Sequence, residues 1–513
     1  MPKVKIFVFL QFIFFSAVPV LAQVDTAWVR RYNGPGYADD IANAVAVDDS
    51  GNMYVTGRSP GISGDYATIK YYANGDTAWV RRYNGPANGF DVATAVAVDD
   101  SGNVYVTGTS SATGTYYDYA TLKYKPNGNT AWVKRYNGPG YGDDIANAVA
   151  VDDSGNVYVT GQSVGSGTFS DYATLKYSPN GDSTWVRRYN GPANGFDNAT
   201  ALAVDDSANV YVTGLSQGDY ATLKYSPNGD TVWVRRYNGP ANGLDNAKAV
   251  AVDDSGNVYV TGGSEGSGTF SDYATLKYSP NGDTGWVRRY NGPGNSSDNA
   301  YALAVDDSGN VCVTGVSVGS GTLGDYATLK YSPNGDTAWV RRYNGPGNGF
   351  DNATALAVDD SANVYVTGKS SGTSDDYATL KYSPNGNTAW VRRYNGPGNG
   401  FDAASAIAVD DSGNVCVTGV SVGSGTLGDY VTITYVQFAC VDTAGDANGD
   451  GSVTLPDIIY LVNRVFKGGS PTSPVCRGDA NADGVVTLPD IIYLVNRVFK
   501  GGPAPLKSKE CCL

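Results

Sequence analysis

The chain has 513 residues, 66 of them Gly and 38 Tyr, with 36 Lys+Arg against 50 Asp+Glu for a formal charge of −14, and it contains no His. Gly this frequent without a G-X-Y period excludes collagen and points to a turn-rich β protein, and the missing imidazole excludes Ser-His-Asp and Cys-His nucleophile systems and HExxH zinc sites. Only Glu265 and Glu510 are glutamates, so a glutamate-pair glycosidase is excluded while an Asp pair is not, and Lys and Arg spread evenly along an acidic chain form no phosphate-tracking stripe, so no nucleic acid partner is expected.

Residues 1–22 read as a secretory signal. Lys3 and Lys5 form a basic start, residues 6–15 are nearly all apolar, and Val20-Leu21-Ala22 supplies small residues for cleavage. The mature chain is expected to begin at Gln23 and to be secreted, extracellular or cell-surface associated. The apolar stretch falls short of the ~20 residues a span needs, so no membrane span is expected. Six Cys are few for this length, and disulfides do not carry the fold. Cys440 and Cys476 bracket one C-terminal segment and could pair, and the sequence assigns no role to Cys511 and Cys512.

From residue 23 to 437 one unit recurs. Trp stands at 28, 79, 132, 185, 233, 286, 339 and 390, spaced 48 to 53 residues, each heading a stretch like AWVRRYNG. Three short alternating runs follow each Trp stretch; in the fourth copy they are ALAVDD (201–206), VYVTG (210–214) and DYATLKY (219–225). Alternation bounded by Gly, Asn and Asp is the signal of strands and hairpins, and four strands per period of about 50 is that of a propeller blade. The expected fold is all-β, an eight-bladed β-propeller. GNVYVTG followed by DYATLKYSPNGDTAWVRRYNG resembles the bacterial β-propeller repeats of secreted proteins, across about residues 26–437. That resemblance implies AVAVDD as the innermost strand, VYVTG second, DYATLKY third and AWVRRYN outermost. The first Trp strand (28–33) then lacks inner strands and the last copy, ending DYVTITY (429–435), lacks a Trp strand, so the N-terminal strand is expected to complete the last blade and close the ring.

Asp precedes each inner strand, at 40, 91, 144, 197, 245, 298, 351 and 402. Eight carboxylates at one mouth could hold a hard cation; the reading adopted is that each ties loops together through backbone N–H groups, because unbonded carboxylates in a ring repel. DDSGN and SPNGD lie between strands and suit tight hairpins, with Gly or Asn at positive φ. The Arg-Arg pair after each Trp is read as a solvated face that protects an edge. The loop between VYVTG and DY varies from LSQG (215–218) to TSSATGTYY (109–117) on the Asp side, where a glycan or protein ligand is expected. Lys248 and Glu265 are isolated departures, and blades this alike argue against a catalytic site, so no catalytic residue is assigned.

After Cys440 a shorter repeat begins, GDANGDGSVTLPDIIYLVNRVFKGG and its near copy 33 residues on. Asp446, Asn448, Asp450, Ser452 and Asp457 stand at positions 1, 3, 5, 7 and 12 of one loop, and Asp479, Asn481, Asp483, Val485 and Asp490 at those of the other, with Ser452 and Val485 acting through backbone carbonyls. Gly451 and Gly484 fill position 6, completing the EF-hand pattern for a calcium ion (Ca2+). Each loop leads into one helix whose Ile458, Leu461, Val462 and Val465 make an apolar face, started at Pro456. Duplicated loop-plus-helix units resemble a type I dockerin over 444–502, within a module spanning 438–503 and followed by a tail, 504–513. The resemblance implies a cohesin-like partner and attachment to a scaffold or surface. Leu455-Pro456 and Leu488-Pro489 replace the small or hydroxyl residues of that family at positions 10 and 11. The overall reading is a secreted, non-catalytic binding or structural propeller tethered by this module; a polysaccharide-degrading component and a surface adhesin are the alternatives.

Overall fold

A computed structural model of the protein describes residues 23–36, 38–61, 63–114, 116–140, 142–438, 442–443, 445–448, 452–468, 477–481, 485–500, 503, 505 and 511–512. The expected signal segment 1–22, the Cys440 and Cys476 pair and the loop acids Asp450 and Asp483 lie outside the described residues.

The alternating runs form eight four-stranded antiparallel sheets. In the fourth blade the strands are Asp197–Val204, Val210–Ser216, Asp219–Tyr225 and Thr231–Tyr237, hydrogen-bonded in chain order. The first strands of adjacent blades touch one another all round the ring, from Ile41–Val47 to Asp402–Val409, so they are the innermost layer. The eighth sheet is completed by Gln23–Tyr32, which lies beside Gly428–Phe438 as its fourth strand. The two incomplete ends of the repeat thus close the ring, as expected.

No single core exists; the apolar interior is a repeated interface between blades. Tyr158, Tyr172 and Trp185 of the third blade pack on Ala199, Val210, Val212, Ala221, Leu223 and Tyr225 of the fourth. Burying aromatic surface gives each interface its stability, while polar tips are bonded across it: Tyr172 Oη donates to the Ala221 carbonyl at 3.2 Å and Trp185 Nε1 to the Pro227 carbonyl at 3.2 Å. Cys312 and Cys416 sit fully inside as small strand residues. Where Cys312 removes the Tyr hydroxyl that elsewhere bonds the turn Asp, Lys330 pairs with Asp306 at 2.8 Å instead.

The arginine pairs differ from the solvated face expected of them. The second Arg of each pair is a latch. Arg188 donates to Asp171 Oδ2 at 2.8 Å, to Ser163 Oγ at 2.6 Å and to Tyr136 Oη of the preceding blade at 3.1 Å. Of the first arginines, Arg187 lies 5.7 Å from the centroid of Trp185 and donates Nε to the Gly229 carbonyl in the next blade. Alternation did place the two guanidinium groups on opposite sides; it could not reveal that the adjoining blade supplies acceptors on both.

Each inner strand carries a bulge, as between Ala199 and Ala201, opposite the Gly of VYVTG. A Cβ on Gly214 would lie 2.0 Å from the Asn198 carbonyl oxygen and 2.8 Å from Ala199 Cα, both backbone atoms. Close backbone approach therefore explains the Gly that recurs at this place in all eight copies. Gly214→Ala is expected to cost roughly 1–3 kcal/mol or more by forcing the strands apart, and a urea melt of the intact chain will register it as a lower midpoint.

In the C-terminal segment, helix α1 (Leu455–Lys467) and helix α2 (Leu488–Lys500) have identical sequences. Pro456 stands in the first turn of α1, the Thr454 N–H donates to Asp457 Oδ2 at 2.7 Å, and Gly468 at φ 69° ends the helix. Ile458 and Leu461 pack on Ile491, Leu494, Ala447 and Ala480, with Val462 and Val465 at the margin.

Candidate functional sites

The eight inner-strand aspartates are buried. Asp91 Oδ2 accepts the Gly85 N–H at 2.7 Å and its Oδ1 the Ser111 N–H at 3.0 Å, tying the incoming loop to the loop after the second strand. The same Gly N–H bond recurs at Asp197 (2.8 Å) and Asp402 (2.7 Å). This geometry is the loop tie expected of them. Burial pushes the carboxyls of Asp40, Asp91, Asp144, Asp197, Asp245, Asp298 and Asp402 above the ordinary Asp value, against the pull of these bonds. A folded pKa raised above the unfolded one gives a stability share that is complete below the unfolded value of 3.8 and lost as pH rises through the folded value. Asp197→Asn keeps the acceptor for Gly191 and removes that pH-dependent share, so its melting temperature relative to the natural chain should rise as pH climbs above the unfolded value of 3.8 and level off once the folded carboxyl is ionised. A difference that is flat with pH would contradict the assignment.

The DDSGN segments are Asx-type hairpins. Asp48 Oδ1 accepts from the Ser50 and Asn52 N–H groups, Asp48 Oδ2 from Tyr54 Oη at 2.8 Å, and Gly51 takes φ 72°. The second Asp of every such turn, from Asp49 round to Asp411, is exposed, as are Asp76, Asp182, Asp230, Asp283 and Asp336 in the hairpins at the same end. One face of the disk is thus rimmed with carboxylates.

The opposite face carries the variable loops and a different chemistry. Phe90, Phe196, Leu244, Phe350 and Phe401 in the loops entering the inner strands are exposed, and so are Tyr116, Phe169, Phe270, Leu323 and Leu427 in the loops after the second strands. Among the described propeller residues, only Tyr72, Val133 and Val232 are large, apolar and exposed elsewhere. Lys369 bridges two of these rings, 5.5 Å from the Phe350 centroid and 5.6 Å from that of Phe401, while pairing with Asp375 at 2.7 Å. Sequence reading placed the variable loops on this face and missed the ring of apolar side chains. The signal was present as Phe or Leu just before five of the eight inner-strand aspartates.

In the C-terminal loops Asp446, Asp457, Asp479 and Asp490 are buried. Asp457 Oδ1 accepts the Asn448 N–H at 3.0 Å, and Asp490 accepts those of Asn481 and Thr487 at 3.2 and 2.8 Å. Ser452 and Val485 lie among the described residues, Asp450 and Asp483 outside them, and among the described residues no three acidic, Cys or His side chains form a metal-holding group. Buried carboxylates in an all-oxygen donor set fit a hard cation. A second apolar set, Leu455, Ile459 and Phe466 on α1 and Leu488, Ile492 and Phe499 on α2, is exposed.

A sequence profile described as a beta-propeller repeat matches residues 27–62, 78–114, 131–167 and 232–268. Each match starts on an outer strand and runs into the following blade, so the sequence repeat and the structural blade are offset by one strand. No curated protein matches the chain. Among solved structures, the periplasmic gluconolactonase of Pseudomonas aeruginosa is 13% identical at a TM-score of 0.43, with 69% of this chain and 95% of that one covered. The β-propeller domain of the Trilobed protease from Pyrococcus furiosus is 9% identical at 0.39, covering 66% and 94%. A protein from Lactobacillus plantarum is 12% identical at 0.41, covering 59% and 84%.

Proposed function

We propose that this β-propeller repeat protein is a secreted, non-catalytic binding disk that holds a glycan or protein ligand on its loop face and is tethered through a calcium-loaded C-terminal module. The observation that carries the binding reading is the segregation of exposed apolar side chains onto the face with variable loops, away from the acidic rim. Contiguous exposed apolar surface on a soluble protein marks an interaction site. Hydrolysis needs two carboxyls with separated roles, whereas the inner-strand aspartates are spent alike on backbone N–H groups. Asp446, Asn448, Asp450, Ser452 and Asp457, with Asp479, Asn481, Asp483, Val485 and Asp490, would hold two calcium ions, and the exposed helix stripes beside them would meet a cohesin-like partner. Signal cleavage after Ala22 would leave the ring-closing strand intact.

A glycan array probed with the mature chain tests the binding reading. Signal on defined glycans that is lost in a Phe350→Ser/Phe401→Ser double variant supports it. Retained signal, or release of reducing sugar from a polysaccharide panel, overturns it.

A further inference from the structure

The blades are not equivalent along the axis. At the bulge of the inner strand, Asn43, Thr94, Asn147, Thr200 and Thr354 each donate to an Ala carbonyl of the next blade at 2.7 to 2.9 Å. The fifth and sixth blades carry Lys248 and Tyr301 at that position. Both are half-buried. Because the innermost strand is paired on one edge and packed on both sides, their exposed portions open onto the axis.

Lys248 Nζ meets the Asn246 side-chain oxygen at 3.0 Å, in the amide orientation that satisfies both ends of that group. Among the described residues no carboxylate pairs with it. The acids that begin its own strand and the next are engaged elsewhere: Asp245 accepts the Gly239 N–H at 2.6 Å, and Asp298 accepts those of Gly292 at 2.6 Å and Val318 at 2.9 Å. Lys330, by contrast, has Asp306. A partly desolvated ammonium without a counter-charge is costly, and burial pushes the Lys248 pKa down with no acid opposing it.

The surroundings complete a polar arc. Two residues before the bulge, four consecutive blades carry Asn198, Asn246, Asn299 and Asn352, while the remaining four carry Ala403, Ile41, Val92 and Ile145. Asn352 Oδ1 is buried without a hydrogen-bond partner. Gly263, opposite Asn246 in the ladder, leaves a space that Asn299 Oδ1 occupies; a Cβ there would lie 2.2 Å from it. Asn198 Oδ1 accepts from Asn147 Nδ2 and Asn299 Oδ1 from Ser271 Oγ, both at 2.9 Å, and at the bulge itself every blade carries a polar side chain, among which Lys248 is the one ammonium and Tyr301 the one phenol.

We propose that this arc, centred on Lys248, binds the carboxylate of a uronic acid residue in a polysaccharide. A single ammonium matches a monoanion; a phosphate dianion would call for further guanidinium or ammonium groups, which these inner strands lack. Tyr301 and the hydroxyl and amide side chains at the bulge of the other blades, Asn43, Thr94, Asn147, Thr200, Thr354 and Ser405, suit sugar hydroxyls. This inference rests on the binding-disk reading and adds the charge of the ligand and the place where that charge is read.

Isothermal titration of the mature chain with trigalacturonate, a neutral galactose trimer and inorganic phosphate decides it. Trigalacturonate should bind, and Lys248→Thr should weaken it at least tenfold. Thr is the residue of three other blades at this position and can remake their carbonyl tie, so the melting temperature should not fall. Tyr301→Thr should weaken binding to a lesser degree. Equal binding of the neutral trimer, equal binding of phosphate, or unchanged affinity in Lys248→Thr overturns the carboxylate site. If the array gives Phe350/Phe401-dependent signal while trigalacturonate fails to bind, the axial site falls and the binding disk stands; silence in both removes both.

Discussion

Deletion of residues 23–33 will destroy the cooperative folding of the propeller, although it removes only one strand of 32. That strand supplies Trp28 to the interface formed with Tyr430, Cys416, Met53 and Tyr71. Arg31 pairs with Asp429 at 2.8 Å and donates to Ser421 Oγ at 2.8 Å and Tyr394 Oη at 3.2 Å. Arg30 Nε and Trp28 Nε1 donate to the Gly75 and Ala73 carbonyls of the first blade at 2.7 and 3.0 Å. The strand is thus bonded to the eighth blade and to the first, and its loss opens the ring at both contacts. It also exposes the long edge of Gly428–Phe438 to pairing with other chains. The control is Trp233→Ala, which removes an equivalent indole at an interior interface at a cost of about 3–5 kcal/mol while leaving closure intact. The truncated chain should elute as aggregate and show no sigmoidal melt, whereas Trp233→Ala should remain monomeric with a lowered midpoint. A truncated chain that melts like the intact one would mean that the ring does not depend on this strand.

The difference between what was legible in the sequence and what was not follows from the range of the interactions. Strand positions, blade count and ring closure were legible because period-2 alternation and turn residues are local, and because the repeat opens with a lone outer strand and closes on a copy that lacks one. The loop-tying role of residues such as Asp91 was legible on similar grounds, since its partners Gly85 and Ser111 lie in its own repeat and the one before it. The arginine latches were not, because Arg188 reaches Tyr136 across 52 residues and sequence alternation says only which side it takes. The polar arc at the axis was hidden for a related reason. Lys248 reads as an isolated departure in one copy, and only the ring brings it beside Asn299 and Tyr301 of the next blade. The apolar loop face needed the same closure, since Phe90, Phe270 and Phe401 lie far apart in the chain but belong to one face of the disk.

Calcium should produce the largest change in the C-terminal module. Asp446 and Asp457 in one loop, and Asp479 and Asp490 in the other, are buried at the ends of twelve-residue loops that add Asp450 and Asp483 to their charge. Gathering three carboxylates within one loop costs Coulomb repulsion as well as desolvation, and a divalent cation offsets both. The apolar gain available without it is small: among the described residues the core of the two helices has six buried side chains, Ala447, Ile458, Leu461, Ala480, Ile491 and Leu494. If the loops take calcium as proposed, metal binding and folding are expected to be coupled here. Because α1 and α2 are the helices among the described residues, far-UV circular dichroism of the full mature chain follows them through its helical signal. Helical signal should rise on adding calcium to metal-stripped protein and fall again with chelator, with the β signal unmoved. Asp457→Ala also removes the acceptor of the Asn448 and Thr454 N–H groups, so loss of the response in that variant alone would be ambiguous. Asp457→Asn keeps one of the two acceptor oxygens, and so one of these two bonds, and should shift the titration midpoint to higher calcium by tenfold or more while still gaining helix at saturation. Full helicity in chelator, or a midpoint unmoved in Asp457→Asn, would mean that the helices fold on their six-residue core and that the loops are acidic turns without a metal.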